Sequence, residues 1–98
     1  MDKRIKHIDR DSEKQRVEEF FEKIEHQKVS ISDAIKEMRK ISRLTQPEFA
    51  KNRGISLGTL RKIESGEGCP TVETLNKIGA IFGLEAGFVK KNTPAKQN

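Results

Sequence analysis

At 98 residues the chain has room for one small domain, and with 33% hydrophobic against 36% charged residues its core must be compact. A lone cysteine, Cys69, excludes an intrachain disulfide or a cysteine-based metal cluster, and no apolar run approaches the roughly 18 residues of a membrane span. The net charge of +5 is unevenly placed: residues 28–66 carry nine Lys/Arg against four acids, while residues 11–27 carry three against six. Such asymmetry favours a polyanionic partner, with an ordinary solvated surface as the plainer alternative.

The N-terminal segment 1–11, MDKRIKHIDRD, is basic but lacks the apolar stretch of a secretory signal. It reads as flexible, and the chain as cytoplasmic. Ser12 and Gln15 have capping-box spacing, and Val17, Phe20, Phe21 and Ile24 follow at helical spacing with acids on the other face. A helix is therefore expected from about Ser12 to Gln27, in a segment 12–28, and its apolar stripe must pack on its own domain or on a partner chain.

The main domain is expected over 29–84. Ser30 and Asp33 make a second capping pattern, ahead of an apolar stripe of Ile31, Ala34, Ile35, Met38 and Ile41 that runs to about Ser42. Thr45 and Glu48 make a third, with Pro47 in the first turn, Phe49 and Ala50 facing inward and Gly54 suited to a left-handed stop. Ile55 anchors the turn, Ser56 caps the next helix, Leu60 and Ile63 point inward, and Gly66 stops it. After the loop EGCP, Thr71 caps a helix of Val72, Leu75, Ile78 and Phe82 that ends at Gly83. In LEAGFVK, Leu84, Ala86 and Phe88 alternate with Glu85 and Gly87; period two suggests a short strand, a last helical turn being its rival. The segment 85–98 is assigned to dimerisation followed by a disordered tail from 92 onward.

Nothing here suggests an enzyme. His7 and His26 lie in flanking regions, neither beside a nucleophile nor within a ligand cluster, and SGEGCP lacks the Lys-Ser/Thr pair of a phosphate-binding loop. No catalytic residue, metal or cofactor is expected.

The helices expected over 45–53 and 56–65, joined through Gly54 and Ile55, have helix-turn-helix spacing. Ala50 is small enough for a close crossing, and Gly54 supplies a backbone conformation that side chains resist. That pattern alone is weak, since any helical bundle contains one. From Ile31 to Leu84, however, the chain resembles the lambda-repressor-like, or XRE-type, helix-turn-helix family. The matching elements are AIKEMRK, then TQPEFA, GIS and TLRKIESG, then Pro70 and TLNKIGAIFGL. The resemblance implies an all-α fold with a five-helix domain; the residue pattern adds an N-terminal helix ahead of it and suggests a short C-terminal strand behind it.

The resemblance also implies roles. Arg39 and Glu64 match a structural ion pair between the first helix and the end of the second motif helix. Gln46 matches a phosphate contact. Leu57, Gly58, Thr59 and Lys62 match base-facing positions, with Ser56 just ahead of them and Arg61 alongside. Lys62 can donate to guanine, Thr59 can bond a base or touch a thymine methyl, Leu57 can make only apolar contact, and Gly58 allows close backbone approach. The chain departs from the family at Leu57 and Gly58, where Gln, Ser or Arg is frequent, and at Glu67, where basic residues are. Shape and phosphate contacts then gain weight. The expected function is a sequence-specific double-stranded DNA-binding repressor acting as a homodimer on a palindromic operator. The alternative is an antitoxin that also grips a toxin protein through the N-terminal helix, and a third reading is an interaction module that binds no specific DNA.

Overall fold

The computed structural model describes residues 10–90. The flexibility expected of the N-terminal segment falls mostly outside the described residues, as does the disorder expected over 92–98. Helix α1 (Arg10–Glu25) is followed by α2 (Ile31–Ser42), α3 (Gln46–Arg53), α4 (Leu57–Glu64) and α5 (Val72–Gly79), which continues into a 3-10 turn (Ala80–Phe82). The architecture is all-α. The five α-helices of the described residues include α1, so residues 29–84 supply four of them plus the closing 3-10 turn.

Local chemistry sets the ends of these helices. The hydroxyls of Ser30, Thr45, Ser56 and Thr71 each accept the backbone N–H three residues on, at the starts of α2, α3, α4 and α5. At α3 the box is reciprocal, since the Thr45 N–H donates to Glu48 Oε1 at 2.9 Å. Gly54 closes α3 at φ 72°, a left-handed conformation that costs a glycine little. The Ser12 cap does not form as expected. The chain is already helical at Arg10, so Ser12 lies inside α1, and Gln15 bonds Glu19 one turn on.

The core comprises Phe20, Ala34, Ile35, Met38, Phe49, Ala50, Leu60, Ile63 and Ile78. Phe20 comes from α1 and is 2% exposed, with its ring edge-on to Phe82 at 5.6 Å. Ile24 packs against the same core. Ion pairs of Arg16 with Glu37 (2.7 Å) and Arg43 with Glu13 (3.2 Å) tie α1 to α2 and to the residue after it. The stripe on α1 is therefore largely committed to its own chain, with Phe21 left partly exposed at its edge.

The expected C-terminal strand is absent among the described residues. A strand needs a neighbouring strand for its backbone groups, and this segment meets none among the described residues. Its start is nevertheless fixed. The Leu84 N–H donates to the Gly79 carbonyl at 3.0 Å, and the Ala86 N–H donates to Asn76 Oδ1 at 2.8 Å. A side chain at position 79 would meet the Leu84 carbonyl oxygen at 2.8 Å, so only glycine allows this close return. Beyond Ala86 the alternation fails, and Phe88 and Val89 are exposed. They border an apolar groove of about 880 Å³ whose lining includes Ile31, Met38, Val72 and Leu75. Ile31 and Val72, expected on inward stripes, are instead exposed there, because each is the first residue of its helix and projects past the core.

Candidate nucleic-acid interface

Helix α4 is short, and its presentation depends on what grips its two ends. At its start, Ser56 Oγ accepts the Thr59 N–H at 3.0 Å and donates to Thr59 Oγ1 at 2.8 Å. Leu60 and Ile63 bury its inner face, while Gly58, Arg61 and Lys62 stand on the exposed one. Gly58 and Lys62 are one turn apart, and Thr59 sits three residues before Lys62, so these positions share a side. A Cβ added at Gly58 would meet nothing within 4 Å. Internal packing therefore does not require a glycine at this position, and the bare turn is an outward-facing feature.

At its end, α4 is clamped. Glu64 is 5% exposed although charged. Arg39 holds it with two bonds, Nε to Oε2 at 2.8 Å and Nη2 to Oε1 at 3.1 Å. Gln46 Nε2 adds a third to Oε1 at 3.0 Å. Burial pushes the Glu64 carboxyl up, but the bonds from Arg39 and Gln46 and the nearby positive charge outweigh it and hold its pKa below the usual carboxylate value. Arg39 is correspondingly held above its ordinary value by its bond to Glu64. Ser32 Oγ donates to the Glu64 backbone carbonyl at 2.7 Å, satisfying an acceptor at the helix end.

The expected site thus divides in two. Ser56, Leu57, Gly58, Thr59, Arg61 and Lys62 come together on α4 and its cap. Gln46 lies at the far end of that helix, bonded to Glu64, away from the bare first turn.

Two residues were missed in the sequence. Ser32 carried no signal, being a small polar residue beside a capping pattern. Arg53 did carry one, because it follows Phe49 and Ala50 at the spacing of the inward face. It is 6% exposed, donates through Nε to the Ile78 carbonyl at 3.1 Å and lies with its guanidinium 4.3 Å from the Phe49 ring centre. Nη1 donates to Asn52 Oδ1, and burial lowers its pKa. Part of the basic excess therefore serves the fold: Arg53 is buried, Arg39 holds Glu64 and Arg43 pairs with Glu13 at the surface, while Lys51, Arg61 and Lys62 remain exposed on the α3–α4 motif.

A family model described as helix-turn-helix matches residues 35–89, more than half of the chain. The chain belongs to the helix-turn-helix family. The match starts within α2 and runs past α5, which confirms the resemblance seen in the sequence and leaves α1 outside it. The chain is 44% identical over 50 residues to the cryptic phage CTXphi transcriptional repressor RstR of Vibrio cholerae serotype O1, a match covering 51% of this chain and 45% of that protein. It is 38% identical over 56 residues to the ImmF control region 10 kDa protein of Bacillus phage phi105, covering 57% of this chain and 62% of that one. The matched stretch thus spans less than two thirds of either relative. No solved structure matches the chain.

Proposed function

We propose that this helix-turn-helix protein is a sequence-specific double-stranded DNA-binding transcriptional repressor that acts as a homodimer on a palindromic operator. The observation that carries the reading is α4: an exposed basic face with an unshielded first turn, held by a partly buried ion pair at its far end. In the major groove, Lys62 donates to guanine N7 and O6, Thr59 bonds a base edge or touches a thymine methyl, and Leu57 makes apolar contact. Gly58 lets the backbone come close. Ser56 and Arg61 flank the readers, and Gln46 opens α3, where a helix N-terminus favours a phosphate. With so few polar readers, phosphate contacts and DNA shape supply much of the affinity.

The dimer is supported by the exposed Phe88 and Val89 beside the apolar groove, where Ile31 and Val72 are also exposed. Placed next to α5, a two-fold contact there leaves α4 uncovered. No cofactor, metal or catalytic residue enters this reading. It places the protein in the cytoplasm with the DNA, and no helix among the described residues is long and apolar enough to cross a membrane. The antitoxin alternative has less to draw on, because Phe20 and Ile24 of the α1 stripe pack on the chain itself. Both the similarity to RstR, a phage transcriptional repressor, and the family membership support the first reading.

The test is to select a duplex from a random-sequence pool with the full chain and footprint it. Two protected half-sites about 10 base pairs apart, related by two-fold symmetry, are expected. Uniform, sequence-independent protection would leave only an interaction module with a basic face.

A further inference from the structure

Helices α3 and α4 are joined at one end by Gly54–Ser56 and are open at the other, where the first residue of α3 meets the last of α4. The bond from Gln46 Nε2 to Glu64 Oε1 spans that open end at 3.0 Å. We infer that Gln46 is a positioning residue for sequence readout: by closing the open end of the motif onto Glu64, it fixes the angle at which α4 is presented to the bases. The inference rests on the reading of α4 as the recognition helix and goes beyond a phosphate contact for Gln46.

The geometry makes this a specific role. Arg39 ties Glu64 back to α2, and Ser32 ties the helix end there as well. Those bonds come from α2; Arg39 also donates through Nη1 to the Leu44 carbonyl at 3.3 Å, ahead of the α3 cap, but neither residue bonds α3 itself. The Gln46 side chain supplies the direct polar tie from α3 at that end. Glu64 Oε1 accepts from Gln46 and from Arg39 at once, so the three helices meet on one carboxylate. A base-reading side chain sits on a lever whose far end is this junction, and a small rotation there displaces Thr59 and Lys62. Contacts to phosphate tolerate such movement, whereas directional bonds to base edges do not.

The experiment compares the full-length wild type with Gln46→Met, which keeps length but cannot donate, and Gln46→Lys, which restores a donor to Glu64. Each is titrated against the duplex selected by the wild type and against a random-sequence duplex pool. The readout is the ratio of the two affinities, which a loss of folded protein would not change because it lowers both equally. Gln46→Met should lower the ratio about tenfold, the scale of a hydrogen bond to a charged group, and Gln46→Lys should recover most of it. Equal weakening on both DNAs would reduce Gln46 to a phosphate contact and overturn the inference, as would an unchanged ratio. A wild type with no preferred duplex would defeat the regulator reading itself, and this inference with it.

Discussion

Glu64 is a buried carboxylate kept ionised by its partners, and its removal should be felt in both stability and DNA binding. With Glu64 at 5% and Arg39 at 20% side-chain exposure, Arg39→Ala leaves a charge largely uncompensated and should cost about 3 kcal/mol in a denaturant titration. Because the folded pKa of Glu64 lies below the unfolded one, its contribution is complete above the ordinary carboxylate value of 4.5 and is lost as pH falls through the folded value. Glu37, lowered chiefly by its bond to Arg16, acts in the same sense. Stability measured from pH 7 downward should therefore begin to fall near pH 4.5, and a Glu64→Gln variant should show a shallower fall. Gly58 offers the opposite case. Nothing packs where its Cβ would be, so Gly58→Ala should stabilise the helix by about 0.5–1 kcal/mol while weakening binding to the selected duplex. Stabilisation with unaltered binding would remove Gly58 from the interface. The Arg39–Glu64 pair was visible in the sequence through matched positions. Arg53 was not singled out, because its charge suggested surface, although its spacing from Phe49 marks the inner face.

At the scale of elements, the sequence was legible where side chains cap and stripe the helices. Ser30, Thr45, Ser56 and Thr71 stand at helix starts as expected, and Gly54 and Gly83 take left-handed conformations at their ends. Ser12 has the same kind of pattern but lies within α1, since helical residues precede it. The strand expected after Gly83 depended on a pairing partner that the described residues do not supply. What the sequence did not disclose was the destination of α1. Its Phe20 fills the core, so Phe20→Ala should cost about 3–5 kcal/mol, whereas Phe21→Ala, at the exposed edge, should cost far less. Equal, small losses would mean that α1 is an appendage. At the other end, Gly79→Ala places a methyl 2.8 Å from the Leu84 carbonyl. It should release the segment after Gly83 and weaken self-association while α4 stays folded, as amide exchange of the two regions would report.

For the whole molecule, the distribution of charge and apolar surface separates two faces. The α3–α4 motif presents Lys51, Arg61 and Lys62, and the groove beside α5 presents Ile31, Val72, Phe88 and Val89. A dimer built on the second face would set two copies of the first about 34–36 Å apart, one turn of DNA. Light scattering should find a dimer for the full chain and a weaker one for a truncation ending at Gly83; an undiminished dimer would move the contact elsewhere. The central claim, that α4 reads bases, is tested most directly by Lys62→Ala on the selected duplex and on variants of it substituted one base pair at a time. Affinity for the preferred site should fall by about 1–3 kcal/mol, and discrimination should relax at one base position in each half-site. An equal loss on every sequence would make Lys62 a phosphate contact and contradict the assignment.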